Sequence, residues 1–453
     1  MNKIILTSLP LLAVAGSFHP VTSFADEVKG AMTFKPIVGS AYNESTNDPA
    51  VLNESTWLIP EGFKQSVISD ESNLDIYINN DWPDMNTVNE TKKQAGRYLY
   101  RTHEVRPGND QRNDGRLGGT VSVIDLKTGK AKEVAAREDW EALDGLVWTP
   151  WHTLLVAEET NSAGYPDPDY PHASSGLVYE IELDKDDLTT AKKMTARPLL
   201  GSIAHEGVEI DDEGNVYVID EDRAPGGSIF KFVPDTYGDL SSGKLFALRV
   251  KNGAQTGEAE WVELRLDPVT FDAQAAAEQI GATSYCRPED LERIGKTLYA
   301  ALTCEPRIDN KDGPGAVLSI SLHEEKPIVS YFIEAGVNIP AENKASAVTG
   351  LKSPDNLADG PDGKLWIVED NSPSDIWVAE PDNDGDGHAD HVHLFASTKD
   401  KDAEGTGIYF GNNPHRLFVN IQHSGTGNDK TMAITKILEN DEKYRDDRDW
   451  SMQ

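Results

Sequence analysis

Acidic side chains recur in this sequence at a nearly fixed distance from an apolar pair. Asp144 lies ten residues before Leu154-Leu155, Glu206 ten before Val216-Tyr217, Glu289 nine before Leu298-Tyr299 and Asp355 ten before Leu365-Trp366. Glu404 precedes Leu417-Phe418 by thirteen. If the apolar pairs open equivalent strands, these carboxylates gather at one end of them. Like charges so gathered repel unless cations sit between them, and Ca²⁺, with about six to eight oxygen ligands, suits such a set. Strand-entry turns also favour Asp and Glu. Yet His205-Glu206-Gly207, Arg287-Pro288-Glu289-Asp290 and Pro354-Asp355-Asn356 are not ordinary turn chemistry. Arg287 would stand beside the carboxylates, either gripping a phosphate or carboxylate ligand with its fork or paired to Glu289 or Asp290. His103-Glu104 and Glu158-Glu159 follow apolar runs and would add carboxylates at strand ends.

A second acidic motif has another form. Asp382, Asp384, Asp386 and Asp390 alternate with small residues and glycines, as in a calcium loop, but His393 stands where an EF-hand needs its bidentate Glu. Apolar runs at Ile376–Ala379 and Val392–Phe395 flank it, so a β-hairpin calcium loop is expected; an acidic surface turn is the alternative. The two cysteines, Cys286 and Cys304, bracket one predicted hairpin, and in an exported chain a disulfide is the first reading. A Cys286 thiolate acting as a metal ligand is the other. The sequence lacks G-x-S-x-G, P-loop, H-E-x-x-H and dinucleotide motifs, which removes support for serine hydrolases, nucleotide enzymes and zincins.

The elements that must position these groups are strands. Short β-rich runs such as Val121–Leu126, Val216–Asp220, Thr297–Thr303 and Lys364–Glu369 alternate with Asp-Gly and Asn-Gly turn signals, and the best helical stretch is Asp272–Ile280. The apolar pair occurs six times if Leu99-Tyr100 is included, at intervals of 52 to 82 residues. Six long repeats predict an all-β, six-bladed β-propeller with insertions, with residues 26–60 as an N-terminal wrapping segment. A pair of irregular β-sandwiches is the competing fold. In a propeller the innermost strands line a central channel, so phased carboxylates become a ring at its mouth.

Composition sets outer limits. There are 453 residues, with 77 acidic against 42 basic side chains and a formal charge of −35. That excess argues against a nucleic-acid-coating protein and against docking on anionic membranes. Lys3, the apolar run Ile4–Ala15 and Ser23-Phe24-Ala25 read as a secretory signal over 1–25 without a twin arginine, leaving 26–453 as one propeller domain. No stretch reaches the length of a membrane span. A monomer in the periplasm or outside the cell is expected.

With those motifs in place, the chain resembles the PhoX family of exported alkaline phosphatases. The resemblance rests on Thr149-Pro150-Trp151-His152-Thr153-Leu154 leading to Glu158-Glu159, then His205-Glu206-Gly207 and Arg287-Pro288-Glu289-Asp290. It continues through Asp355-Asn356, Gly363-Lys364-Leu365-Trp366-Ile367, Gly405-Thr406-Gly407 and Leu417 to His423. The resemblance implies a six-bladed propeller with a calcium and iron cluster at its mouth, hydrolysing small phosphate monoesters. It also implies Glu159, Glu206, Glu289, Asp355 and Asn356 as metal-site residues and Arg287 as the holder of substrate phosphate. Ala157 stands where iron-containing members are expected to carry a cysteine before the Glu-Glu pair, which should weaken iron binding. That departure motivates a second reading, a non-catalytic or differently catalytic calcium-binding propeller. A third class, sugar-dehydrogenase or lactonase-like propellers, lacks the Arg-Pro-Glu-Asp constellation.

Overall fold

The computed structural model describes residues 31–438 except 75, 78–80, 92–93, 107–111, 162–163, 223–225, 307–310, 323–325 and 335–349. The proposed signal at 1–25 lies outside the described residues. Strands dominate, and they form six antiparallel blades in chain order. Blade 1 comprises Pro83–Val88, Tyr98–His103, Thr120–Asp125 and Lys130–Ala136; blade 2 comprises Leu143–Trp148, Leu154–Glu158, Val178–Asp184 and Asp187–Ala196. Blade 3 runs His205–Ile210, Val216–Asp220, Ile229–Thr236 and Asp239–Val250, and blade 4 runs Pro288–Ile294, Thr297–Leu302, Ala316–Ser321 and Ile328–Glu334. A fifth strand of blade 3, Gly257–Glu263, pairs with the outer strand of blade 4 and joins the two blades into one sheet.

The last two blades borrow strands from the N-terminal segment. Blade 5 (Pro354–Asp359, Leu365–Glu369, Asp375–Ala379, Val392–Thr398) gains Trp57–Leu58 along its outer edge. Blade 6 has only Glu404–Phe410, Arg416–Gln422 and Lys430–Lys436 from its own stretch, and Phe63–Asp70 completes it. First and last parts of the propeller thus share one sheet, which closes the ring and leaves fewer free strand edges. The fold is the expected six-bladed β-propeller, and residues 31–60 form the wrapping segment over blades 5 and 6.

Almost every inner and second strand is buried on both faces, because each blade is sandwiched between two others. Alternate side chains therefore serve opposite neighbours. In Leu154–Glu158, Leu154 and Val156 join the apolar layer with blade 1, whereas Leu155 and Ala157 join the layer with blade 3. Similar layers separate the other blades: Leu291 and Leu298 with Tyr217 between 3 and 4, Leu357 and Ile367 with Val317 between 4 and 5. Trp366 and Phe395 with Leu417 fill the space between 5 and 6, and Phe418 with Leu99 and Val88 that between 6 and 1. The predicted helix forms at Ala273–Ile280, capped by Asp272, whose side chain accepts the Ala275 N–H at 2.8 Å. It lies in the long connection between blades 3 and 4.

Candidate metal and phosphate site

The inner strands place one carboxylate per blade at the channel mouth. Asp84, Asp144, Glu206, Glu289 and Asp355 each occupy the second position of an inner strand, and Glu404 the first position of its own. Five of these were expected; Asp84 was not. In blades 1 to 5 the pairing of the inner strand slips within its first four residues, as at Leu143/Leu146 and His205/Val208. Such an irregularity bends the strand and re-aims its side chains. Two glycines permit the close approach of neighbouring inner strands: a Cβ at Gly145 would lie 2.0 Å from the Glu206 carbonyl oxygen, and one at Gly207 would lie 2.3 Å from Asp290 Oδ1.

A second layer lies one residue beyond each second strand. There the chain carries Glu104, Glu159, Glu221, Thr303, Asp370 and His423 in blades 1 to 6. In five blades the backbone N–H of this residue donates at 2.9–3.0 Å to the carbonyl just before the inner strand: Glu104 to Trp82, Glu159 to Ala142, Glu221 to Ala204, Thr303 to Arg287 and Asp370 to Ser353. Four of the acceptor residues, Trp82, Ala142, Arg287 and Ser353, have positive φ between 40° and 47°. Non-glycine residues rarely sit there, and the surrounding strands hold them in place. The same backbone bracket, repeated around the ring, fixes the two layers against each other.

Within this double layer, ligand atoms of Asp144, Glu159 and Glu206 lie within 4.8 Å of one another, and Asp144 Oδ1 is buried with no hydrogen-bond partner. Thr303 donates its hydroxyl to Glu289. Burial, reinforced by the neighbouring carboxylates, pushes the pKa values of Asp144, Glu159, Glu206, Asp355 and Glu404 well above the usual range. Glu289 is also raised by burial, although Arg287 opposes the shift. Asp84 is pushed up to about 8 by burial and by Glu104, and Asp290, just below the ring, to about 7 by burial. An all-oxygen, like-charged, partly unpartnered donor set fits a hard cation such as Ca²⁺.

Arg287 reaches into this set. Its Nε donates to Glu221, its Nη2 lies 3.2 Å from Glu289 Oε1 and its Nη1 lies 3.5 Å from Asp370 Oδ2. Cys286, immediately before it, is bonded to Cys304, with Cα atoms 5.3 Å apart. The disulfide ties the residue just before Arg287 to the residue just after Thr303.

Several anticipated residues have other surroundings. Asn356 Oδ1 accepts the Gly407 N–H at 2.6 Å and its Nδ2 donates to Asp355 at 3.2 Å, so it couples blades 5 and 6 beside the ring. Glu158 turns into its own blade and accepts the Glu141 and Leu177 N–H groups at 3.0 Å, while Glu159 faces the mouth. His103 is buried against the Asp81 carbonyl and the Ser122 hydroxyl. Ala157 requires a correction: its side chain packs in the apolar layer between blades 2 and 3, so a residue at 157 faces away from the channel and cannot ligate an ion there. Outside the channel, Asp382–Asp390 forms a hairpin turn as anticipated. Carboxylates of Asp382, Asp384 and Asp390 converge, whereas Asp386 accepts the His388 N–H at 2.8 Å.

The raised carboxyl pKa values carry a stability signature. A carboxyl whose folded pKa exceeds its unfolded value keeps more protons when folded, so stability falls as pH rises from the unfolded to the folded value. The window is set by Asp84 and Asp290, from about 4 to about 8. After EDTA treatment the Tm should therefore drop by roughly 5–10 °C between pH 5 and pH 8, and millimolar Ca²⁺ should remove that drop. Thermal melts at both pH values check this; a level or rising Tm in EDTA would count against a repelling ring.

A family model described as alkaline phosphatase PhoX matches residues 147–425. No curated protein matches the chain. Among solved structures, Pseudomonas fluorescens PhoX in complex with vanadate, a transition-state analogue, superposes with a TM-score of 0.63 at 19% identity, covering 90% of this chain and 98% of that one. A putative gluconolactonase covers 85% and 95% at 11% identity with a TM-score of 0.45. Penicillium chrysogenum α-L-arabinanase complexed with arabinobiose covers 83% and 99% at 11% identity with a TM-score of 0.44. The family match spans four of the six ring carboxylates together with Arg287, and this chain belongs to the PhoX family of alkaline phosphatases.

Proposed function

We propose that this protein is a calcium-dependent phosphatase that hydrolyses small phosphate monoesters at the channel mouth. The observation that carries the reading is the convergence of Asp144, Glu159 and Glu206 with Arg287 and Glu289 on one mouth. Asp144, Glu159, Glu206, Glu289 and Asp355 would hold the cations, with Asp84 and Glu404 completing the ring and Asn356 positioning Asp355. Cations bound there supply charge stabilisation to the phosphoryl oxygens and activate water as nucleophile. Arg287 orients the phosphoryl group and neutralises charge that develops in the transition state. Glu221, Glu289 and Asp370 hold its guanidinium in place from three sides, so little reorganisation is needed when substrate arrives. The disulfide fixes the backbone on either side of that arginine.

Calcium is favoured by the oxygen-only donors, and the family resemblance adds Fe³⁺ as a companion ion. With both cysteines in a disulfide, neither is a thiolate ligand for iron. We also assign a structural Ca²⁺ to Asp382, Asp384 and Asp390, supported by their convergence in a tight hairpin. The non-catalytic alternative loses its motive once position 157 is seen to face an apolar layer. Export to the periplasm or beyond is supported by the disulfide, which persists in oxidising compartments. No helix among the described residues is long and apolar enough to cross a membrane. The ring is completed within one chain, which supports a monomer built on a single domain over 26–453.

Hydrolysis of p-nitrophenyl phosphate at alkaline pH tests the reading. Activity should disappear with EDTA and return with Ca²⁺, or with Ca²⁺ and Fe³⁺ together, and metal analysis of the purified protein identifies the ions. A protein that turns over no phosphate ester after reconstitution with both metals is not a phosphatase of this kind.

A further inference from the structure

Among the described residues two guanidiniums reach the mouth, and they are committed to different degrees. Arg287 engages all three of its nitrogens with carboxylates. Arg106, three residues beyond the second strand of blade 1, reaches toward blade 2. Its Nη2 lies 3.1 Å from Glu159 Oε2 and 3.7 Å from Glu104 Oε1. Both contacts use the same nitrogen, so Nε and Nη1 have no polar partner among the described residues. The side chain is 36% exposed, against 26% for Arg287. Its partner Glu159 belongs to the converging group with Asp144 and Glu206. A cationic fork with unused donors therefore stands at the edge of that group, on the side of blades 1 and 2, while Arg287 approaches from blades 3 to 5.

A phosphate monoester dianion presents three non-bridging oxygens, and one guanidinium satisfies at most two of them. In a chain with a formal charge of −35, a dianion is retained only where local positive charge reverses the surrounding field. We propose that Arg106 is a second substrate-binding residue, donating to the phosphoryl oxygens of a phosphate monoester from the side opposite Arg287. The inference rests on the phosphatase reading and deepens it. It also bears on specificity, because a phosphodiester has one non-bridging oxygen and one negative charge fewer to offer Arg106.

A purely structural role, screening Glu104 and Glu159, makes different predictions. Binding of inorganic phosphate and of vanadate to the Ca²⁺-loaded protein, followed by calorimetry, separates the two. Arg106→Ala should weaken phosphate binding by roughly 10- to 100-fold, the worth of a charge-assisted contact. Arg106→Lys should recover part of that loss, and Ca²⁺ affinity should stay within a few-fold of the parent. Phosphate binding within twofold of the parent overturns the proposal. So does a loss fully accounted for by lost Ca²⁺. If the parent binds phosphate and Arg287→Ala does not, while Arg106→Ala is unchanged, only the second-arginine inference fails. If the parent itself neither binds phosphate nor hydrolyses the ester with metals restored, the phosphatase reading falls and this inference falls with it.

Discussion

Arg287→Ala should lower phosphate-ester hydrolysis by roughly 100- to 1,000-fold at saturating Ca²⁺, the scale on which removal of one preorganised donor acts. The expectation follows from how the side chain is held. Three carboxylates fix the fork, Glu289 from the inner strand of blade 4 and Glu221 and Asp370 from just beyond the second strands of blades 3 and 5, and the backbone at 287 sits at a φ of 45°, bracketed by the Thr303 N–H. Such a group does not need to be organised during the reaction. Arg287→Lys should lose less than the alanine variant but well over tenfold, since an ammonium keeps the charge without the planar pair of donors. Steady-state kinetics on p-nitrophenyl phosphate decide the matter: a drop shared by kcat and kcat/KM marks a transition-state role, and a wild-type rate refutes the assignment. Saturating Ca²⁺ matters, because alanine at 287 also deprives Glu221, Glu289 and Asp370 of their counter-charge.

A double replacement of the ring, Asp144→Asn with Glu206→Gln, should act on function and stability in opposite directions. Activity should fall to background and the Ca²⁺-dependent rise in Tm should largely vanish, because two oxygens of the converging group become weak amide ligands. In EDTA at pH 8, however, the variant should melt several degrees above the parent. Both residues are buried among other carboxylates that oppose their ionisation, and neutral amides of the same shape remove that repulsion. Melts with EDTA and with Ca²⁺, run on parent and variant together, give the comparison. A variant that is less stable than the parent in EDTA and equally responsive to Ca²⁺ would remove Asp144 and Glu206 from the cation site.

The sequence made much of this site legible because four inner hairpins are nearly the same length. Where a carboxylate opens one strand and an apolar pair opens the next, a short turn keeps the interval at nine or ten residues, so Asp144, Glu206, Glu289 and Asp355 stand out. In blade 1 the connection Asn89–Arg97 is longer, which moves Asp84 fifteen residues ahead of Leu99 and hides it. A local signal was available even so, since Pro83-Asp84 repeats the proline-acid opening of Pro288-Glu289 and Pro354-Asp355. Position 157 was misjudged for a different reason. Alternation along Leu154–Glu158 puts Leu155 and Ala157 on one face, and that face packs against blade 3. Arg106 had no repeat partner and no motif; only the folded ring brings it to Glu159.

The closure of blade 6 by Phe63–Asp70 fixes the order in which the protein can be made. Phe63 pairs with Lys436 and Asp70 with Lys430, so these contacts join parts of the chain separated by almost its whole described length. Long-range pairings of this kind form late. Until they form, the ring of six carboxylates stays open between blades 1 and 6. Full cation capture therefore awaits the last pairing, and a chain truncated just before blade 6 would retain five of the six ring carboxylates without the closed ring around them.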